Sequence, residues 1–175
     1  MPEDIEIHPV RESEYAAAGE ATARAYMEFA TPGSVYWEPY LARIADIAAR
    51  AQRTTVLVAS VSGEIAGSAT LEVDARMNPE STEPLAPDEA HLRMLGVDPA
   101  YRGRGVARRL VVACIDVARV HGKRLLTLET TAVMTAAQQL YASMGFDSAG
   151  ERLTPDGTRL LEYSRSVDAP PQPTR

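Results

Sequence analysis

The sequence predicts a single α/β domain of the α+β type, and three observations carry that prediction. Apolar residues recur at helical spacing in four stretches, two early and two late in the chain. Seven strand-like runs surround those helices, and two of them, 54–61 and 65–73, are joined by Ser62-Gly63-Glu64, a hairpin signal. No linker or internal repeat divides the chain, and 175 residues with 45% apolar content suffice for one core.

The elements follow in order. Residues 5–10 alternate as a short strand, and 14–29 form an alanine-rich helix with Ala18, Ala21, Ala25 and Phe29 on one stripe, although Gly19 weakens its first turns. A second helix spans 39–52, where Pro39 suits a first turn and Leu41, Ile44, Ala45, Ile47 and Ala48 make the apolar face. After the hairpin, residues 74–89 hold three prolines and no periodicity, which marks a long loop. A strand over 91–97 precedes the run Arg102-Gly103-Arg104-Gly105-Val106-Ala107. That run feeds a helix reaching Val120, with Val106, Leu110, Ala113, Cys114 and Val117 on its apolar stripe. A strand over 124–129, a helix over 135–144 stopped by Gly145, and two strands over 146–150 and 159–163 complete the domain, which covers 1–167. The proline-rich, polar stretch 168–175 reads as a disordered tail.

Composition excludes several classes. A formal charge of −6 argues against a general nucleic-acid binder and confines any basic site to a local patch. One cysteine, Cys114, excludes an internal disulfide framework and a Cys-rich zinc site, and His8, His91 and His121 lack metal-ligand spacing, so no metal is expected. The first residues show neither a basic nor an apolar leader segment, and no apolar run approaches the ~18 residues of a membrane span. The expectation is a cytoplasmic protein with neither membrane nor nucleic acid as partner.

The Gly/Arg turn carries the most chemistry. Glycine lets backbone approach a ligand, and a helix start presents unpaired N–H groups with partial positive charge, so the turn suits a pyrophosphate. Arg102, Arg104, Arg108 and Arg109 add cations, although Arg108 and Arg109 also suit a solvated helix face. Two common phosphate loops do not fit. A P-loop needs Lys-Ser/Thr where Val106-Ala107 stands, and a dinucleotide fingerprint needs a small residue where Arg108 stands.

The order of strand, Arg-x-x-Gly-x-Ala turn, helix, strand, helix carrying Leu-Tyr, then Gly-Phe resembles the GNAT superfamily of acyl-CoA-dependent N-acyltransferases. The match lies in residues 92–97, in 102–107, and in Ala137-x-x-Leu140-Tyr141-x-x-x-Gly145-Phe146. The resemblance implies a mixed, mostly antiparallel central sheet of six to seven strands flanked by about four helices. It implies acetyl-CoA as co-substrate, with Arg102, Gly103, Arg104, Gly105, Val106 and Ala107 around the pyrophosphate. It also implies that Leu95, Gly96 and Val97 face the pantetheine arm on a splayed strand, and that Met134 and Ala137 lie beside the cofactor. Relatives often carry Asn where this chain has Met134, so a side-chain amide contact is missing there. Tyr141 matches a general acid that lies beside the thioester sulfur.

The chemistry needs three groups. A lysine-like amine, with pKa about 10.4, must lose a proton before it attacks. The oxyanion needs donors, for which amides at Leu95, Gly96 and Val97 are the candidates, and the departing thiolate needs a proton. For the base the sequence points first to His91, at a strand start where relatives often carry Glu, then to Glu89 acting through water, with Glu72 and Glu129 as more distant candidates. Cys114 falls on an apolar helix stripe, which favours direct transfer in a ternary complex over a cysteine intermediate.

The expected acceptor is a primary amine of a small molecule or a protein. Six carboxylates among residues 72–89 could attract a cationic amine, or simply form a solvated acidic loop. Tyr26, Phe29, Tyr36, Trp37 and Tyr40 could line the acceptor pocket or anchor two helices. A homodimer is compatible with the chain, and a non-catalytic acyl-CoA-binding regulatory module of the same fold is the alternative function.

Overall fold

A computed structural model describes residues 4–74 and 84–170. Its seven strands are β1 (Ile5–Pro9), β2 (Thr55–Val61), β3 (Glu64–Glu72), β4 (Glu89–Val97), β5 (Leu125–Thr131), β6 (Asp147–Leu153) and β7 (Arg159–Ser166). The five helices are α1 (Tyr15–Met27), α2 (Trp37–Ala45), α3 (Ile47–Ala51), α4 (Val106–Val120) and α5 (Thr135–Ser143). The strands form one mixed sheet in the order β1-β2-β3-β4-β5-β7-β6, antiparallel everywhere except between β4 and β5.

The β2–β3 turn is Ser62-Gly63, with φ of 52° and 86°. Left-handed backbone at both central residues matches the twist of the flanking strands, and Val61 pairs directly with Glu64. The helix expected over 39–52 is two helices. Asp46 leaves helical geometry at φ −80° and ψ 75°, and its carboxylate accepts from the Ala49 N–H at 3.0 Å, capping α3. Aspartate competes for backbone donors in this way, which ends one helix and starts the next. The count of helices therefore rises from four to five.

The two faces of the sheet are covered differently. Leu57, Ala69, Leu71, Leu92, Leu126 and Leu128 pack on one side against Leu110, Val111, Cys114 and Ala118 of α4, with Tyr141 and Met144 joining from the α5 segment. The stripe on α4 is wider than expected, since Val111, Ile115 and Ala118 are buried while Ala113 and Val117 are only partly so. The broad sheet surface reaches around the flank of the helix. On the other side Val56 and Val58 meet Ala18 and Ile47, so α1 and α3 cover the first half of the sheet.

Gly19, weak for helix formation, has a packing reason to be in α1. A Cβ there would press into the carbonyl oxygen of Ala45, where α1 and α2 meet. Gly19→Ala should therefore destabilise the fold by about 3 kcal/mol despite alanine's better helix propensity, because a backbone carbonyl gives way less easily than a side chain. Thermal unfolding checks this, with an expected fall in Tm of about 10 °C for a chain of this size.

β4 begins at Glu89, two residues before the expected start, and β6 and β7 extend beyond their expected ends. Of the carboxylates read as one acidic loop, Glu72 closes β3 and Glu89 opens β4, and both are buried. Glu80 and Glu83 lie outside the described residues, as do 171–175 of the tail. At the start of that tail, the Arg165 guanidinium donates to the Ala169 carbonyl at 2.7 Å.

Candidate active site

The site begins where β4 and β5 part. Their parallel ladder pairs Glu89, Ala90, His91 and Leu92 with Leu125, Leu126, Thr127 and Leu128 and goes no further. The cause is visible on β4. Ser68 of β3 faces Gly96 and Thr70 faces Arg93, so Ala69 alone opposes Met94 and Leu95. Met94 absorbs the extra residue at φ 50°. A bulge bends its strand and sharpens local twist, which swings the end of β4 away from β5. Helix α1 follows the bend closely, since a Cβ on Gly96 would lie 3.0 Å from side-chain carbons of Thr22 and Ala25.

The parted strands open a cleft of about 620 Å³, lined by 92–97 of β4, Glu129 and Thr130 of β5, the turn leading into α4, the start of α5 and the last turn of α1. At its mouth Gly103 and Gly105 have φ of 76° and 83°, and a Cβ on either would meet no protein atom within 4 Å. Gly105 is the N-cap of α4 and supplies no side-chain cap. The amides of a 15-residue helix therefore start uncapped at an open rim, a setting suited to a phosphate. The residues present fit the diphosphate of coenzyme A.

The arginines of the turn act differently from one another. Arg102 is turned toward α1, donating to the Ala25 carbonyl at 3.1 Å and pairing with Glu28 at 2.6 Å, as a cation suits a helix C-terminus. Arg104 stands 5.4 Å from the centre of the Tyr101 ring. Arg108 donates to the Ser143 hydroxyl and Arg109 to the Ile5 carbonyl, so both fasten α4 to its neighbours. Arg102 and Arg108 also line the cleft, so the rim combines helix amides with guanidiniums held by protein partners.

Tyr141 is buried in the inner wall, its ring 5.6 Å from Phe146 and 6.0 Å from Tyr163. Burial pushes its phenol well above the usual tyrosine value. Cys114 is fully buried, and burial pushes its thiol up to about 12, which leaves no thiolate at neutral pH. Met134 sits at the N-cap of α5 without a side-chain cap and lines the cleft together with Ala137.

The candidate bases separate in space. His91 and Glu89 do not line the cleft. His91 Nδ1 lies 2.8 Å from the Thr127 hydroxyl, which donates to Glu89 at 2.6 Å, and this buried chain sits in the paired part of the sheet below the fork. Glu129, two residues beyond Thr127, does line the cleft. Arg152 holds both its carboxylate oxygens, at 2.6 and 2.8 Å, reaching from β6 across β7.

Arg93 and Arg152 were not legible as site residues. The sequence contains no local signal for either, because their partners come from other strands. The aromatic group divides. Tyr26 and Phe29 line the cleft, and Tyr26 donates to the Leu95 carbonyl at 3.1 Å. Tyr36, Trp37 and Tyr40 stack behind Tyr26, with Tyr40 edge-on to it at 6.3 Å, and so join the two helices. Among the described residues no three His, Cys, Asp or Glu side chains gather where they could hold a metal, and no helix is long and apolar enough to cross a membrane.

The forked parallel pair beside the open start of α4 is the architecture that the family resemblance implied. The chain belongs to the acetyltransferase (GNAT) family, whose model matches residues 20–146. The ribosomal protein bS18-alanine N-acetyltransferase of Haemophilus ducreyi is 41% identical over 76 residues, covering 41% of this chain and 52% of that protein. The chain spans about half or less of the length of the curated relatives it matches first. In fold it resembles the ribosomal-protein-S18-alanine N-acetyltransferase of Escherichia coli, with TM-score 0.67 and 24% identity over 98% of this chain and 99% of that one. It equally resembles yncA of Salmonella typhimurium, solved with acetyl-CoA, with TM-score 0.69 and 23% identity over 98% of both chains.

Proposed function

We propose that the protein is an N-acetyltransferase that moves an acetyl group from acetyl-CoA to a primary amine by direct attack in a ternary complex. The fork between β4 and β5, with an uncapped helix start at its mouth and Tyr141 in its wall, is the observation that carries this reading. The coenzyme's diphosphate is assigned to the α4 amides and its pantetheine arm to the unpaired edge at Leu95, Gly96 and Val97.

The chemistry then follows from this chain's own groups. Glu129 lines the cleft and is the group we assign to take the proton from the incoming ammonium, directly or through water, so that the neutral amine can attack the thioester carbon. His91 and Glu89 are tied to Thr127 below the fork, and their part is to hold the base of the fork together. The oxyanion falls to backbone donors of bulged β4. As the C–S bond breaks, Tyr141 supplies a proton to the thiolate and regains one as the nitrogen loses its second proton in collapsing to the amide. Two protons thus leave nitrogen, one arriving on sulfur and the one taken by Glu129 passing to solvent. The buried thiol of Cys114 offers no competing nucleophile. Similarity to enzymes named for the alanine amine of a ribosomal protein supports a protein amine as one acceptor class.

The test is release of free thiol from acetyl-CoA with a panel of primary amines. Acetyl-CoA at 100 times its Kd should also stabilise the fold by about 2.7 kcal/mol, raising Tm by roughly 5–10 °C. Glu129→Gln should lower kcat/KM by about 100-fold, the low side for a lost base, and remove the low-pH limb of the profile. If His91→Ala removes that limb and Glu129→Gln does not, the base is His91. Stabilisation without thiol release would make the protein a binding module instead.

A further inference from the structure

The first residues beyond the last β4–β5 pair are Arg93 and Glu129, one on each lip of the fork, and both line the cleft. They lie on the same face of the sheet as His91 and Thr127, two residues along from each. Each is held from its outer side by an opposite charge, Arg93 by Glu72 of β3 at 3.0 Å and Glu129 by Arg152 of β6. Across the sheet the charges run Glu72, Arg93, then the cleft, then Glu129 with Glu162 of β7 directly opposite it, and finally Arg152, so the β4 lip presents a guanidinium and the β5 lip carboxylates.

A second guanidinium lies behind the β4 lip. Arg50 of α3 is buried beside Arg93, donating to the Thr70 hydroxyl at 3.1 Å and to the Arg43 carbonyl, while its Nη2 has no partner. Burial, with the Arg93 charge second, pulls Arg50 down to about 10, still cationic at neutral pH. Glu72 is the carboxylate on Arg93, and Asp46 is the carboxylate that acts on Arg50. Arg93 spends its Nη1 on that carboxylate, its Nε is buried without a partner, and its side chain remains 18% exposed toward the cleft. A held guanidinium with donors to spare is a ready carboxylate receptor, because its fork matches carboxylate geometry.

We infer that the acceptor amine carries a carboxylate close to it, the amine meeting Glu129 and the carboxylate meeting Arg93, so that free amino acids are the preferred acceptor class. This rests on the acetyltransferase reading above. A polyamine or a lysine side chain would place a second cation or an uncharged backbone against Arg93, whose charge then lacks an external partner.

The experiment measures thiol release by the full chain with acetyl-CoA and four kinds of acceptor: the free amino acids, the matching amino-acid amides, a peptide beginning with alanine, and spermidine. The expected result is a kcat/KM for the best free acid about tenfold or more above its amide, as for one charge-assisted pair. Arg93→Gln should collapse that acid-to-amide ratio toward one through KM, and Arg93→Lys should restore part of it. Because Arg93→Gln leaves Glu72 buried without its cation, the double variant Glu72→Gln with Arg93→Gln is measured beside it and should show the same collapsed ratio. Equal use of acid and amide, preference for the peptide or spermidine, or a ratio untouched in the double variant overturns the inference while leaving the acetyltransferase reading intact. No thiol release with any acceptor overturns both.

Discussion

Replacing Tyr141 by phenylalanine is expected to lower kcat by about 100-fold while leaving the Kd for acetyl-CoA within a factor of about two. The variant removes only the hydroxyl, so the ring contacts to Phe146 and Tyr163 survive. Thiolate is a tolerable leaving group without help, which places the loss at the low end of the range for a general acid. Burial holds the phenol well above its ordinary value of 10.0, so it stays protonated through the neutral range and the proton it donates is present at every pH of interest. The wild-type profile should therefore show no limb from Tyr141 below about pH 9. Steady-state kinetics and a binding isotherm check both halves. An unchanged kcat would make Tyr141 a packing residue of the α4–α5 core.

Gly105→Glu is expected to abolish stabilisation by acetyl-CoA, weakening binding by about 100-fold or more. Two effects combine. The φ of 83° strains any residue with a Cβ, and the new carboxylate sits at the helix start where the diphosphate is assigned. Gly105→Ala separates them. A Cβ there meets no protein atom within 4 Å, so alanine adds only backbone strain, about 1 kcal/mol, without new charge. A binding loss for glutamate far above that for alanine, read by calorimetry, assigns the rim to an anion. Similar losses would remove the diphosphate from this turn.

Much of the architecture was legible because it is local. The Ser62-Gly63 turn, the apolar stripe of α4 and the Gly145 stop after α5 each depend on neighbours within a few residues, and periodicity and turn chemistry report those directly. The break at Asp46 was hidden, since one aspartate inside a good apolar pattern becomes a cap only when the chain has a reason to turn there. The outer strands β6 and β7 were cut short for a related cause. β6 is largely exposed, so its sequence lacks both the alternation that burial imposes on β5 and the continuous apolar run of β2.

The site divides in the same way. The Gly/Arg turn and the placement of Tyr141 are matters of sequence order, and both stand on the cleft. Which carboxylate or imidazole enters the cleft was not readable from order. His91 looked well placed at a strand start, but the pairing of β4 with β5 puts it against Thr127 below the fork, and puts Glu129, 38 residues later, into the cleft. Arg152 reaches Glu129 across an intervening strand, and Arg93 meets Glu72 through the β3–β4 ladder. By itself the sequence determined the family, the order of elements and the Gly/Arg turn, because these are written in spacing along one chain. Only the tertiary structure decided which charges face the cleft, because strand register and a single bulge at Met94 set those neighbours, and register is a relation between segments far apart in sequence.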